Sequence, residues 1–167
     1  MATLYKIAMA TVSSLMLLFV TNSALAAEEP YAELLHKDNI IEELHTLPEN
    51  LRIQVLCLSM TIYREARGES LIEREVVAEV TLNRVGKSEF AANVCEVVYQ
   101  VNHYHNRRVA QYSWTVHKNR HQIKEVDAWL ASQKLAYFFL TSTRRPHLCS
   151  ATYFKDCKAL PKRMSSR

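Results

Sequence analysis

The segment Tyr63-Arg64-Glu65-Ala66-Arg67-Gly68-Glu69 holds two carboxylates four residues apart, between two amphipathic runs. Upstream, Ile53, Leu56, Met60 and Tyr63 recur at helical spacing, and Leu58, Ile62 and Glu65 form a second stripe that stays apolar until the carboxylate. The pattern predicts a helix with Glu65 turned inward near its end. A carboxyl group held against apolar neighbours loses hydration of its charged form, so its pKa rises toward the range where it can donate a proton near neutrality. General acid chemistry is therefore expected at Glu65. The bland alternative is a solvated ladder in which Arg64, Glu65, Arg67 and Glu69 pair on a helix surface, the commoner fate of helical charges. Gly68 is expected to let the chain leave the helix, and Ser70 with Glu73 three residues on is a capping-box signature for the next one.

The elements that must position these groups read as helices over 31–46, 51–66, 70–86, 90–99 and 123–142, with no convincing strand pattern. In the last helix Ala128, Ala131, Leu135 and Phe138 recur at helical spacing, widened by Trp129 and Phe139 into a core face. Loops fall at 100–122 and 143–167, where Asn102 to Arg108 and Arg144-Arg145-Pro146 are candidates to line a groove. A short extended pair near Tyr112–Thr115 and Thr152–Phe154 is the only β structure to expect. The fold class is mainly α, with α+β as the alternative.

At 167 residues the chain has room for one domain with a true core. Residues 1–26 read as a secretory signal: Lys6, an uncharged run from Ile7 to Leu25, then Ala24-Leu25-Ala26 at the cleavage positions. An uncleaved signal anchor is the alternative, since a run of about twenty apolar residues spans a bilayer. Residues 27–50 form an acidic leader, helix or linker, carrying Glu28, Glu29, Glu33, Asp38, Glu42, Glu43 and Glu49 against Lys37 alone. From Leu51 onward there are 19 Lys plus Arg and 10 Asp plus Glu, so 51–167, the catalytic domain in this division, is near +9 while the whole chain is +4. A basic body suits an anionic polymer. No nucleic-acid-binding motif accompanies the charge, so nucleic acid is not the expected partner.

The four cysteines, Cys57, Cys95, Cys149 and Cys157, all lie in the exported part, and an even count in an oxidising compartment favours disulfides. Cys149 with Cys157 is the expected pair, closing a short loop around Ala151-Thr152-Tyr153-Phe154. Cys57 and Cys95 either pair or stay as buried thiols. His103, His105, His117 and His121 lack metal-site spacing and sit in a strongly basic segment, so no metal and no cofactor is expected.

The heptapeptide above, the run Val76-Val77-Ala78-Glu79-Val80-Thr81-Leu82-Asn83-Arg84-Val85, and Cys95-Glu96-Val97-Val98-Tyr99-Gln100 together resemble the cell-wall hydrolase family of the spore cortex-lytic enzymes. Gln111-Tyr112-Ser113-Trp114-Thr115 and Ala151-Thr152-Tyr153-Phe154 are similar to further segments of that family, so the resemblance spans roughly residues 52–161. It departs at Lys155, where the family has histidine, and at Lys162, where it has tryptophan. Cys95 resembles a position that holds an unpaired cysteine elsewhere in the family.

The resemblance implies a single domain, lysozyme-like or lytic-transglycosylase-like, with a loop-lined saccharide cleft. It also implies peptidoglycan glycan strands as the partner, in the periplasm or cell wall, with the membrane involved only through an uncleaved signal segment. Glycosidic cleavage usually needs two carboxylates. Only Glu65 is well placed, which favours a lytic transglycosylase giving 1,6-anhydromuramic ends over a glycoside hydrolase. Glu69, Gln111, Ser113, Thr115, Thr152 and Tyr153 are expected to hydrogen-bond saccharide, and Tyr112 and Trp114 to stack on sugar faces. A non-catalytic peptidoglycan-binding module is the reading from a different functional class.

Overall fold

The computed structural model describes residues 39–157, and the signal segment and most of the acidic leader lie outside that range. Five helices carry the described part: α1 (Ile40–Thr46), α2 (Glu49–Ala66), α3 (Leu71–Arg84), α4 (Val94–Tyr99) and α5 (Val126–Thr141). A hairpin of β1 (Val101–Tyr104) and β2 (Arg107–Ala110) stands between α4 and α5, with 3-10 turns at Ser113–Val116 and Phe154–Asp156. The architecture is thus mostly helical with one two-stranded sheet. Among the described residues no helix is long and apolar enough to cross a membrane.

Helix α2 is the axis of the packing: α5, α3 and α4 all lie against it, α5 most extensively. Its stripe of Leu58 and Ile62 is fully buried, as are Val76, Val77 and Val80 of α3 and Leu135 and Phe139 of α5. Complete burial of a Val, Leu or Ile side chain contributes about 1.5–3 kcal/mol, so these facing stripes suffice to fix three helices against one another. The other stripe of α2 divides. Met60 and Tyr63 are buried, whereas Ile53 and Leu56 are exposed along an open groove shared with Tyr99, His121 and Trp129.

Helix boundaries follow local chemistry. Glu73 accepts from the Ser70 backbone N–H at 2.9 Å and from its hydroxyl at 2.7 Å, so the expected box opens α3. Asn93 Oδ1 accepts from Glu96 N at 3.0 Å, and this cap starts α4 at Val94 rather than at residue 90. Gly86, at φ 75°, follows the end of α3 in the left-handed region that glycine enters without strain. Gly68 has no such role: its φ is not left-handed, and the turn after α2 closes by Glu69 N donating to Ala66 O at 3.0 Å. Of the helix expected over 31–46, residues 39–46 fall within the described residues, and Ile40–Thr46 is helical. Its Ile40 and Leu44 are buried, and Tyr137 of α5 donates to Glu43 at 3.2 Å, tying α1 to the helical body.

The β structure lies elsewhere than expected. The loop over 100–122 contains a true hairpin, in register from Val101 opposite Ala110 to Tyr104 opposite Arg107. Its two-residue turn places His105 and Asn106 at φ 46° and 59°, the left-handed pair that matches strand twist. Both strands are largely exposed, so no apolar alternation marks them in the sequence. The Tyr112–Thr115 and Thr152–Phe154 segments, expected as an extended pair, instead run into 3-10 turns. In the first, both the backbone N–H and the hydroxyl of Thr115 bond to Tyr112 O, at 3.1 and 2.8 Å, and these local bonds win over pairing.

Two disulfides are formed. Cys57 of α2 is bonded to Cys95 of α4, with Cα atoms 5.3 Å apart, and Cys149 to Cys157, with Cα atoms 5.6 Å apart. The first ties α4 to the central helix; the second closes the loop after α5.

Candidate active site

Glu65 lies one residue before the C-terminal end of α2, half-buried. It opens on a cavity of about 340 Å³ lined by Arg64, Glu65, Arg67, Gly68, Glu69 and Glu125. The same turn of α2 holds the opposite wall. Arg64 donates to the carbonyls of Asn119, Arg120 and Gln122 at 2.8, 2.6 and 2.8 Å. The Tyr63 hydroxyl accepts from the backbone N–H groups of Lys124 and Glu125 at 3.0 and 3.2 Å. Arg67 completes the set with a 2.8 Å ion pair to Glu125. Arg64 and Arg67 are thus engaged with the 119–125 segment.

A buried polar cluster forms between α3 and the Gln111–Thr115 segment. Tyr112, 2 % exposed, shares a 2.7 Å hydrogen bond with the Thr81 hydroxyl of α3, and Thr81 donates at 2.7 Å to Val77 O. Burial pushes the Tyr112 phenol above its ordinary range. The nearby Glu65 carboxylate acts in the same direction, against the Arg84 cation and the Thr81 hydrogen bond. Arg84, 4 % exposed, is enclosed by four rings: Tyr112, Phe90, Tyr153 and Phe154, with centroids 5.0, 5.4, 5.7 and 5.7 Å from its guanidinium carbon. Its Nε donates to Thr152 O at 2.8 Å. A buried cation needs compensation, and here four π faces, a carbonyl and a phenol supply it.

The remaining loop is held by another face of α3, that of Glu79 and Asn83. Asn83 Nδ2 donates to Cys149 O and Ala151 O at 2.9 and 3.0 Å. Buried Glu79 accepts from the N–H groups of Leu148 and Cys149 at 2.8 and 3.0 Å, with His147 Nδ1 2.9 Å from its other oxygen. Arg145 and Pro146 do line a concavity, of about 210 Å³, together with Glu79, Asn83 and Phe139, while the Asn102 to Arg108 hairpin is separate and exposed.

The residues expected at the site fall into three groups. Glu65 and Glu69 share the open cavity. Ser113 and Tyr153 are exposed, Tyr153 by 46 %, and Gln111 and Thr152 are half-buried, so all four have surface to offer. Tyr112, Trp114 and Thr115 do not: Tyr112 is sealed against Arg84, Trp114 is 6 % exposed and edge-on to Tyr99 at 6.0 Å, and the Thr115 hydroxyl caps its own turn. The stacking expected of Tyr112 and Trp114 is therefore corrected, because their faces are turned into the protein. Sequence reading missed Thr81 and Arg84. The signal was present, since Val77, Val80, Thr81 and Arg84 make an apolar stripe closed by a charge, the same pattern that singled out Glu65.

Residues 68–167, more than half of the chain, match the family model described as Cell Wall Hydrolase. The match takes in Glu69, the α3 face and both aromatic segments, and starts three residues after Glu65. Neither a curated protein nor a solved structure matches the chain. With its α3 stripe and its Gln111–Thr115 and Ala151–Phe154 segments all inside the matched span, the chain belongs to the cell wall hydrolase family.

Proposed function

We propose that this chain is an exported enzyme that cleaves the glycan strand of peptidoglycan between N-acetylmuramic acid and N-acetylglucosamine, with Glu65 as the acid. The observation that carries the reading is the half-buried Glu65 at the end of α2, facing an open cavity in a member of the cell wall hydrolase family. Protonated Glu65 donates to the glycosidic oxygen as the C1–O bond breaks and positive charge develops on the muramyl ring. The muramyl C6 hydroxyl then attacks C1, and the Glu65 carboxylate takes its proton. The product is a 1,6-anhydromuramic end, and the enzyme returns to its starting state with no water consumed. In this lysozyme-like arrangement Glu69, Gln111, Ser113, Thr152 and Tyr153 contact the glycan.

The division into a signal segment over 1–26, an acidic leader over 27–50 and a catalytic domain over 51–167 belongs to the same proposal. Two disulfides among the described residues are compatible with export, because such bonds persist in oxidising compartments. Hydrolysis of the same bond is the second reading, favoured by Glu69 lining the cavity beside Glu65, where a second carboxylate would activate water.

The test is mass spectrometry of the soluble products released from sacculi by the purified protein and by Glu65→Gln. Anhydromuramic ends that vanish in the variant support the transglycosylase, and reducing ends support the hydrolase. Binding to sacculi with no product from the wild type would instead mark a binding module.

A further inference from the structure

From Val97 to Lys124 the chain carries no Asp or Glu, while five cations, Arg107, Arg108, Lys118, Arg120 and Lys124, and four histidines fall inside that stretch. Glu125, the first acid after it, is paired with Arg67. Among the described residues none of the five cations makes an ion pair, and all but the half-buried Arg120 are exposed. The fold gathers this charge. Strand register sets Arg107 opposite Tyr104 and Arg108 opposite His103, so each face of the hairpin presents a guanidinium beside a ring. Tyr104 is 68 % exposed, with the His105 ring edge-on to it at 4.1 Å. At the base of the hairpin the ring of Tyr99 lies 6.4 Å from that of His121, which brings the 117–124 segment alongside. That segment continues into the wall of the Glu65 cavity: the carbonyls of Asn119, Arg120 and Gln122 hold Arg64, and Glu125 lines the cavity.

Folding alone gives no reason for this arrangement. A two-stranded ribbon is marginal by itself, both strands are largely exposed, and like charges gathered on one surface repel. An anionic polymer laid on that surface relieves the repulsion. We propose that the hairpin and the 117–124 segment form a docking surface for the stem-peptide carboxylates of peptidoglycan, outside the cavity in which the glycan is cut. This rests on the reading of peptidoglycan as the substrate polymer.

The chemistry of the pair is specific. A guanidinium meets a carboxylate through two parallel hydrogen bonds, a fit that an ammonium does not reproduce. Each exposed contact is weak, but carboxylates repeated along a polymer engage several cations at once, and linkage makes the later contacts intramolecular. The surface leads along the 117–124 segment to the cavity wall, so a strand held there lies close to Glu65.

The experiment is co-sedimentation of the purified Glu65→Gln protein with intact sacculi, with sacculi whose carboxylates have been converted to neutral amides, and with phosphatidylglycerol vesicles. Adding Arg107→Gln and Arg108→Gln together is expected to raise the apparent Kd for intact sacculi about tenfold, the size set by two exposed ion pairs. Both side chains are exposed, so the thermal midpoint should stay in place. Lys87→Gln with Arg144→Gln removes the same charge at exposed positions outside the acid-free run and should cost less. Amidated sacculi should bind the parent protein as weakly as intact sacculi bind the arginine variant. Equal losses in the two double variants, or undiminished binding to amidated sacculi, overturn the proposal. So does binding to the vesicles that exceeds binding to sacculi and depends on the same arginines, which would mark a membrane surface instead. If wild type releases no glycan product while the arginine pair still controls sedimentation, the docking surface stands and the enzyme reading falls. Product release with no effect of the arginine pair on sedimentation does the reverse.

Discussion

Arg84 stands over the ring of Tyr112, its guanidinium carbon 5.0 Å from the centroid, and through that contact two distant parts of the chain share one buried cation. The Gln111–Thr115 segment contributes one wall of the box and the Thr152–Phe154 segment another, with Thr152 also supplying a carbonyl. Replacing Arg84 by Met keeps much of the volume but removes the charge and the fork. The expected cost is roughly 2–4 kcal/mol in urea unfolding, from a desolvated cation–π contact of about 2 kcal/mol and a charge-assisted hydrogen bond. Limited proteolysis should also find the 147–157 loop opened. Lys at this position should restore little, because one ammonium does not reproduce a planar guanidinium against four rings.

Glu65→Gln is nearly isosteric at a half-buried position, so the thermal midpoint should move little. Turnover of sacculi should fall by about 10²–10⁴-fold, the usual contribution of a positioned general acid. Glu69→Gln should lose less if the glycan itself supplies the nucleophile. Turbidity decrease with purified variants measures both, and equal losses in the two would point to a paired-carboxylate hydrolase.

Alkaline stability should carry the mark of Tyr112. Its phenol is raised above the ordinary range chiefly by burial, so between the unfolded and folded values the native state holds a proton that the unfolded chain has released. The stabilisation is fully present below about pH 10 and is lost as pH rises through the folded value. Tyr112→Phe should therefore be less stable than wild type at neutral pH, having lost the bond to Thr81, yet show a shallower decline above about pH 10. Urea midpoints from pH 8 to 11 would show it, and parallel declines would contradict it.

The two disulfides should differ in worth. Their separations of 38 and 8 residues give, by loop entropy alone, roughly 4 kcal/mol for Cys57–Cys95 and roughly 2.5 kcal/mol for Cys149–Cys157. Pairwise replacement by serine should rank the unfolding midpoints in that order. Activity should rank oppositely, because Cys149 and Cys157 bracket the loop that supplies Thr152 and Tyr153, whereas Cys57–Cys95 joins helices that also pack by burial.

Glu79 is the central acceptor for that same loop. Glu79→Ala strands the N–H groups of Leu148 and Cys149 and removes the partner of His147, so a loss of about 1–3 kcal/mol is expected. Hydrogen exchange at those two amides is the direct check. Their protection should collapse while that of Leu58 and Ile62 persists.

Much of this was legible in the chain. The period of 3.6 around Leu58, Ile62, Val76, Val80, Leu135 and Phe139 determined the helices and their inner faces, because a stripe of apolar side chains has only one low-energy place to go. The Ser70–Glu73 box was readable because its partners are three residues apart, and the charge that ends the Leu58–Ile62 stripe singled out Glu65. The hairpin was not readable, since strands exposed on both faces need no apolar alternation and are fixed by the His105–Asn106 turn. Nor could spacing tell an aromatic platform from a wall. Tyr112 and Trp114 carry surfaces suited to sugar, but which way a ring faces depends on what packs over it. Thr81 and Arg84, about thirty residues away in sequence, drew Tyr112 into the protein. Helices and a candidate acid follow from local pattern, while the box around Arg84 exists only where α3, the Gln111–Thr115 segment and the disulfide-closed loop meet.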